Sequence, residues 1–305
     1  MTSAFVISTS AGSAEVLHRL ALGVEPRDGL TTQPLATAVR VGQELPPRLL
    51  GRAQRRGRLG AARSESHWPC LDFETNGTAR FKLRHAIGGV NRIKVNADGS
   101  PPTITVRIDD VRRRVVPRRF RVPVWTRLEL ERADPTPDGP APGPYVLMRS
   151  RLLRPYLLPA NAYPFPRGTT LIRGSVVVNG RPVRWPRVIA NGPGNMRVGV
   201  AHGDEHGEFV LAITGVGITP PPVPSTIDVV LDVYAVPPNQ APAPDPVDRL
   251  ADLVVEELNR PLPTDPDDVL SGITPPPGYV KSAQPTPITV GIGKSLVHPA
   301  IDFEP

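Results

Sequence analysis

The sequence predicts an all-β protein: two tandem antiparallel β-sandwiches with proline-rich linkers and an extended C-terminal tail carrying one short helix. Three observations carry that prediction. First, 40 of the 305 residues are proline and 27 are glycine, and both types disfavour helix interiors and central strands. Second, hydrophobic residues still make up 39 % of the chain, enough for packed cores and too many for a purely disordered polymer. Third, the apolar residues recur in short alternating runs, the period-2 pattern of half-buried strands. Helical bundles and doubly wound nucleotide-binding folds need long uninterrupted segments, and this composition argues against both.

Residues 1–23 read as an N-terminal arm with one helix over Ser13–Leu22, capped by Ser13 and stopped by Gly23. The first sandwich spans 24–133. It opens on a turn-rich lead, Asp28–Leu35, into an alternating strand Ala36–Val41, and an arginine-rich loop fills 46–66. Strand patterns follow at Cys70–Glu74, Ala79–His85 (around an Asn76-Gly77 turn), Asn91–Asn96 and Thr103–Asp109. Val115–Val124 is extended, and its prolines suit an edge strand. Trp125–Arg132 gives one more alternating run. Residues 134–162 form a proline-rich linker.

The second sandwich spans 163–236. Its strand patterns are Thr170–Val178, Val183–Ala190, Arg197–Ala201, Glu208–Ile213 and Ile227–Val236, with turns at Asn179-Gly180 and Asp204–Gly207. Residues 237–305 are an acidic, proline-punctuated tail. Asp245 can cap a helix over 246–259, with Pro246 at its first position and Leu250, Leu253, Val254 and Leu258 on one face. The run Ile288–Ile292, with Ile288 and Val290 alternating, can add a strand to another sheet.

Within the second set, Ile172–Val177, Asn179–Val183, Val188–Ala190 and above all Asp204–Leu211 resemble the carboxypeptidase regulatory-like domain, a small transthyretin-like β-sandwich related in architecture to immunoglobulin-like domains. The resemblance covers about 168–236. It implies that Gly207 supplies a hairpin turn and that Phe209 and Leu211 point into the core. Asp28–Val41 and Glu74–Leu83 are similar to the same lead-in and hairpin, with two extra residues before Phe81, so the chain reads as two related sandwiches in tandem. Domains of this family are usually non-catalytic spacers or docking modules of surface proteins and of bacterial tail-like or injection assemblies.

Charge is distributed unevenly. Only Lys82, Lys94, Lys281 and Lys294 are lysines, so 32 of the 36 cations are arginine, and the net charge is +7. Between Arg48 and Arg132 stand 20 basic and 8 acidic residues, whereas 237–305 holds 4 basic and 10 acidic ones. A positive middle and a negative tail predict pairing with neighbouring copies or another protein. The clusters Arg52, Arg55, Arg56, Arg58, Arg63 and Arg112, Arg113, Arg114, Arg118, Arg119 could also attract nucleic acid. Aromatic residues are only 5 % of the chain, however, and stacking platforms for single strands are not evident, so nucleic acid is not the expected partner.

The single cysteine, Cys70, excludes an internal disulfide framework and a multi-cysteine zinc site and reads as a small buried hydrophobe. His202 and His206 flank Gly203-Asp204-Glu205, but the glycines make this a polar turn rather than a helix face presenting two ligands. No P-loop, dinucleotide fingerprint or nucleophile elbow appears. The chain is therefore expected to be no enzyme and to take no cofactor. Trp68, Trp125 and Trp185 read as core residues. No apolar run is long enough to span a membrane. Met1–Ser8 lacks the pattern of a secretory signal, which predicts synthesis and assembly in the cytoplasm, with release as part of a larger particle.

The expected function is that of a structural protein of a large bacterial or phage particle, a contractile injection system or tail-like apparatus. It would dock to copies of itself and to other subunits. The tail is expected to be mobile in a monomer and to order against a neighbour, with Leu250, Leu253, Val254 and Leu258 in a groove, Ile288 and Val290 as an added strand, and the neighbour's Arg112–Arg119 cluster as counter-surface. The alternative is a carbohydrate- or surface-binding module with Trp185 and Tyr163 facing solvent.

Overall fold

The computed structural model describes residues 19–45, 69–75, 80–85, 101–133, 148–214, 224–259, 262 and 267–305. Several expectations lie outside these residues: the arm to residue 18, the arginine-rich loop 46–66, the strand 91–96, the linker core 134–147, the turn at 76–79 and Trp68.

The first sandwich pairs a five-stranded sheet with a four-stranded one. Its strands are β1 (Arg19–Val24), β2 (Arg27–Asp28), β3 (Arg40–Glu44), β4 (Cys70–Asp72), β5 (Glu74–Thr75), β6 (Phe81–His85), β7 (Thr103–Asp109) and β8 (Arg118–Pro123). In one sheet β4, β3, β7 and β8 run antiparallel in that order; in the other, β5, β6 and β1 do. β9 (Leu152–Leu153) joins β1 in parallel, and β10 (Tyr156–Leu157) joins β2 in parallel, so the stretch after the linker core returns to the first sandwich. Leu22, Val24, Val41, Leu83, Val106, Ile108, Phe120 and Val122 meet in the core. The strand β7 has the predicted bounds because Ile104, Val106 and Ile108 alternate inward.

Four expectations are corrected here. The segment predicted to end the arm helix, 19–22, is strand β1, since Leu22 and Val24 are needed by the core and pair through the ladder with β6. The strand predicted over 36–41 begins only at Arg40. Residues Arg127–Ala133 form a helix rather than a strand. Thr126 and Glu129 explain it: the Thr126 amide and hydroxyl donate to Glu129 Oε2, and the Glu129 amide donates to Thr126 Oγ1, a reciprocal helix cap. The predicted edge strand is not an edge either. β8 lies between β7 and β17 (Glu256–Glu257), and Pro117 and Pro123 fall before and at the end of it, where a missing N–H costs least.

The second sandwich contains β11 (Leu171–Val178), β12 (Arg181–Pro182), β13 (Arg187–Asn191), β14 (Arg197–His202), β15 (Glu208–Ala212) and β16 (Thr226–Ala235). Asn179 and Gly180 turn the first hairpin with φ of 50° and 72°. Gly207 turns the β14–β15 connection at φ 76°, where an added Cβ would stand 2.7 Å from the Val176 carbonyl. The expected hairpin is instead a crossing between sheets, since β14 pairs with β13 and β15 with β11, while Phe209 and Leu211 are buried.

The tail supplies the remaining strands. β18 (Val280–Lys281) and β19 (Thr286–Gly291) pair with β16, the latter from Thr226↔Gly291 to Leu231↔Thr286. β20 (Ser295–Val297) and β21 (Ile301–Asp302) lie parallel along β11. Ile288, Val290, Ile301 and Phe303 fill the core against Val176, Leu211, Val229 and Leu231. The tail is thus docked on its own chain rather than awaiting a partner, because four buried apolar side chains and four strand ladders, on β16 and β11, offset its ordering entropy. The helix expected over 246–259 is absent; among the described residues of the tail the one short helix is Asp268–Ser271, capped by Asp267 accepting from the Leu270 amide and closed by Gly272 at φ 78°.

Candidate functional site: a buried ionic junction between the sandwiches

Residues 245–258 run as a strap between the two sandwiches, with turns over 248–253, ending in β17 against β8. Its carboxylates at 248, 252 and 256 stand four residues apart, and with Glu257 they reach different arginines. Asp248 receives both Arg107 Nη1 contacts at 2.7 and 2.8 Å. Asp252 receives Arg184 Nη2 at 2.9 Å and the Trp185 indole N–H at 3.1 Å. Glu256 receives Arg118 Nε at 2.9 Å and Nη2 at 2.5 Å, and Arg187 Nη2 at 3.1 Å. Glu257 receives Arg121 at 2.6 Å. Arg107, Arg118 and Arg121 belong to the first sandwich and Arg184 and Arg187 to the second, so Glu256 bridges the two.

Arg118 is the centre. Its side chain is fully buried, and all of its N–H groups point at acceptors: Glu256, the Tyr156 carbonyl at 2.8 Å, the Leu270 carbonyl at 2.6 Å and the Val269 carbonyl. It also lies 4.6 Å from the Phe120 ring centre. A buried guanidinium persists only with this degree of satisfaction. Arg187, across the ladder from His202, is also buried; burial pulls its pKa down, opposed by the Glu256 charge. His202 Nε2 donates to the Gly272 carbonyl at 2.8 Å. A side chain at Gly272 would strike the imidazole at 2.8 Å, so only glycine fits there.

A second knot joins Glu44 to Arg107 at 2.7 Å and to Arg119 at 2.6 and 2.7 Å, while Arg119 also donates to the Ala251 and Leu253 carbonyls. Burial by itself would raise the Glu44 pKa, but hydrogen bonds and charge from Arg119 and Arg107 outweigh it and hold the carboxyl below its ordinary value. A third knot sets Arg249 between Asp109 at 2.5 Å and Glu205 at 3.4 Å, with Arg113 on Glu205 at 2.7 Å. Burial raises the Asp109 pKa despite the Arg249 charge.

The predicted docking residues can now be placed. Arg118 and Arg119 hold the strap of their own chain, Arg113 reaches Glu205, Arg114 donates to Thr37 Oγ1 at 2.9 Å, and Arg112 is exposed. Leu250 and Leu253 pack on Trp185, Leu258 enters the first core, Val254 is half-buried, and Ile288 and Val290 lie in the second core. Residues expected to meet a neighbouring copy therefore meet this one. Charge complementarity between the arginine clusters and the tail is real, and it closes within the chain. Isolated arginines within or beside strands, Arg107, Arg184 and Arg187, carry as much of the junction as the runs that stood out in the sequence.

Trp185 is 3 % exposed with φ 57°, its carbonyl accepts from Tyr279 OH at 2.6 Å, and Tyr163 OH donates to Asp28 at 2.5 Å. Neither forms an open ligand platform. His202 is buried while His206 is exposed beside Glu205, so the two histidines do not converge. Burial pushes the Cys70 thiol far above its ordinary pKa. Among the described residues, no three His, Cys, Asp or Glu side chains are grouped to hold a metal ion, and no helix is long and apolar enough to cross a membrane.

No family model matches the chain and no curated protein matches it. Solved structures that align along most of both chains include the shaft pilin spaA from Lactobacillus rhamnosus GG, with 8 % identity, a TM-score of 0.22, and coverage of 95 % of this chain and 98 % of that one. Another is GBS52, the minor pilin of Streptococcus agalactiae, with 7 % identity, a TM-score of 0.21, and coverage of 94 % and 96 %.

Proposed function

We propose that this chain is a non-catalytic structural protein, a two-sandwich strut that docks to copies of itself and to other subunits of a large particle. The observation behind this reading is the Arg118–Glu256–Arg187 bridge. These buried charges, with Arg118 fully buried among them, tie one sandwich to the other. A strut of this kind passes force between neighbours without hinging at its waist, a property that repeating assemblies need.

The particle we favour is a phage-tail-like or contractile injection apparatus, assembled in the cytoplasm and released whole. The resemblance of 168–236 to regulatory-like docking modules supports that choice. Negative-stain microscopy and size fractionation of lysate from the producing cell test it. The expected result is co-fractionation with particles. Recovery only as a free monomer overturns it.

A further inference from the structure

We propose that the C-terminal strands exchange between copies, residues 280–305 of one chain completing the second sandwich of another. The segment is a self-contained unit. Its main-chain bonds outside itself go to the second sandwich: Ser282 to the Val233 carbonyl, Ile292 to Ser225, His298 to Arg173, Phe303 to Val177, and Leu171 back to the Lys294 carbonyl. Ile288, Val290, Ile301 and Phe303 fill the core of that sandwich and no other. Every one of these contacts is available in identical form from a second copy, so exchange creates an interface without new complementarity.

What decides between closed and exchanged forms is the connection alone. It reads Thr274-Pro275-Pro276-Pro277-Gly278. Three successive prolines are stiff and extended. The chain turns back only at Gly278, exposed, at φ 86°, with open space where a Cβ would be. Pro277 and Gly278 are the central residues of a turn closed by the Tyr279 amide on the Pro276 carbonyl at 3.2 Å, a pair that fits such a turn without strain. Opening this one turn frees the whole segment as a unit for another copy. In dilute solution the tethered segment closes on its own chain; at the local concentrations of an assembly the balance shifts.

The test uses Asp228 and Thr289, ladder partners on β16 and β19 whose side chains touch at 2.5 Å. Chains carrying Asp228→Cys are mixed at high concentration with chains carrying Thr289→Cys and oxidised. Exchange yields a disulfide-linked heterodimer on a non-reducing gel, beyond what either variant gives alone. The double variant in one chain gives an intrachain link and reports that the ladder forms. Gly278→Ala is expected to raise the heterodimer fraction at least about fivefold, the factor that ~1 kcal/mol of left-handed strain produces. Monomers alone, under conditions where the double variant closes its link, overturn the proposal. The proposal draws its purpose from the structural role above, but the two fail separately: no heterodimer ends the exchange, whereas absence from particles ends the role.

Discussion

The strap 245–258 and the strands 280–305 belong to the same acidic tail and are held by opposite physics. The strap places four carboxylates on arginines of both sandwiches, and its three buried leucines, Leu250, Leu253 and Leu258, are divided between Trp185 and the first core. The strands place Ile288, Val290, Ile301 and Phe303 in one core and rely on ladders. Buried ion pairs add little net stability but punish any mismatch, so they fix where the two sandwiches sit; apolar burial supplies the free energy that keeps a sandwich closed. One tail thus carries separate devices for position and for closure.

The largest effect should come from the closure device. Deleting 280–305 removes the outer strands of both sheets and four core side chains, each worth roughly 2–5 kcal/mol when truncated. The second sandwich is expected to lose cooperative unfolding and near-UV circular dichroism. A deletion that melts like the full chain would erase the contrast between the two segments.

Next comes the position device. Glu256→Ala leaves Arg118 and Arg187 buried without their counter-charge, a loss of about 3–5 kcal/mol, read from the denaturant midpoint. Glu256→Gln should lose less, because the amide oxygen still accepts one guanidinium bond. Equal midpoints for both variants would show that charge is not what matters at this position.

A smaller effect depends on pH. Glu44 has its pKa lowered in the fold, so its contribution is present above the ordinary glutamate value and is lost as pH falls through the lowered one. Glu44→Gln should therefore destabilise at pH 7 and converge with the parent in strong acid. Asp109 has the opposite sign: its raised pKa means that protonation on acidification relieves a cost. Asp109→Asn should cost less at pH 7 than Glu44→Gln, measured by midpoints across the pH range. The smallest effect belongs to Arg121–Glu257, an exposed pair at 2.6 Å. Its removal should cost at most about 1 kcal/mol and vanish in high salt.

Much of the architecture was legible because alternation and turn chemistry are local. Thr103–Asp109, the Asn179-Gly180 turn and the turn at Gly207 needed no distant information, whereas β14 and β15 beside Gly207 went to different sheets, which local pattern does not reveal. The strap misled because its acids at 248, 252 and 256 and its leucines at 250, 253 and 258 have helical spacing, while the groups that decide its shape lie on arginines about 70 to 140 residues away. The helix at Arg127–Ala133 was readable from Thr126 and Glu129 and was hidden by the alternation of Leu128 and Leu130 with charged residues. At the junction, the sequence shows that arginines and acids will pair; it does not show whether within one copy or between two, since Coulomb attraction carries no record of connectivity.

Ladder order also sets a timetable for synthesis. β16 is complete at Ala235, yet its far edge waits for β19, and β11 waits for Ile301. At about 5–20 residues per second, the interval from Ala235 to Phe303 is about 3–14 s. Throughout it, Val229, Leu231 and Val233 have only part of their core to cover them. An unfinished chain carries a sticky open sheet, and a finished one does not. Overproduction should therefore be limited by what the nascent chain meets in those seconds, and slowing translation without a chaperone to shield that face should lower the soluble yield.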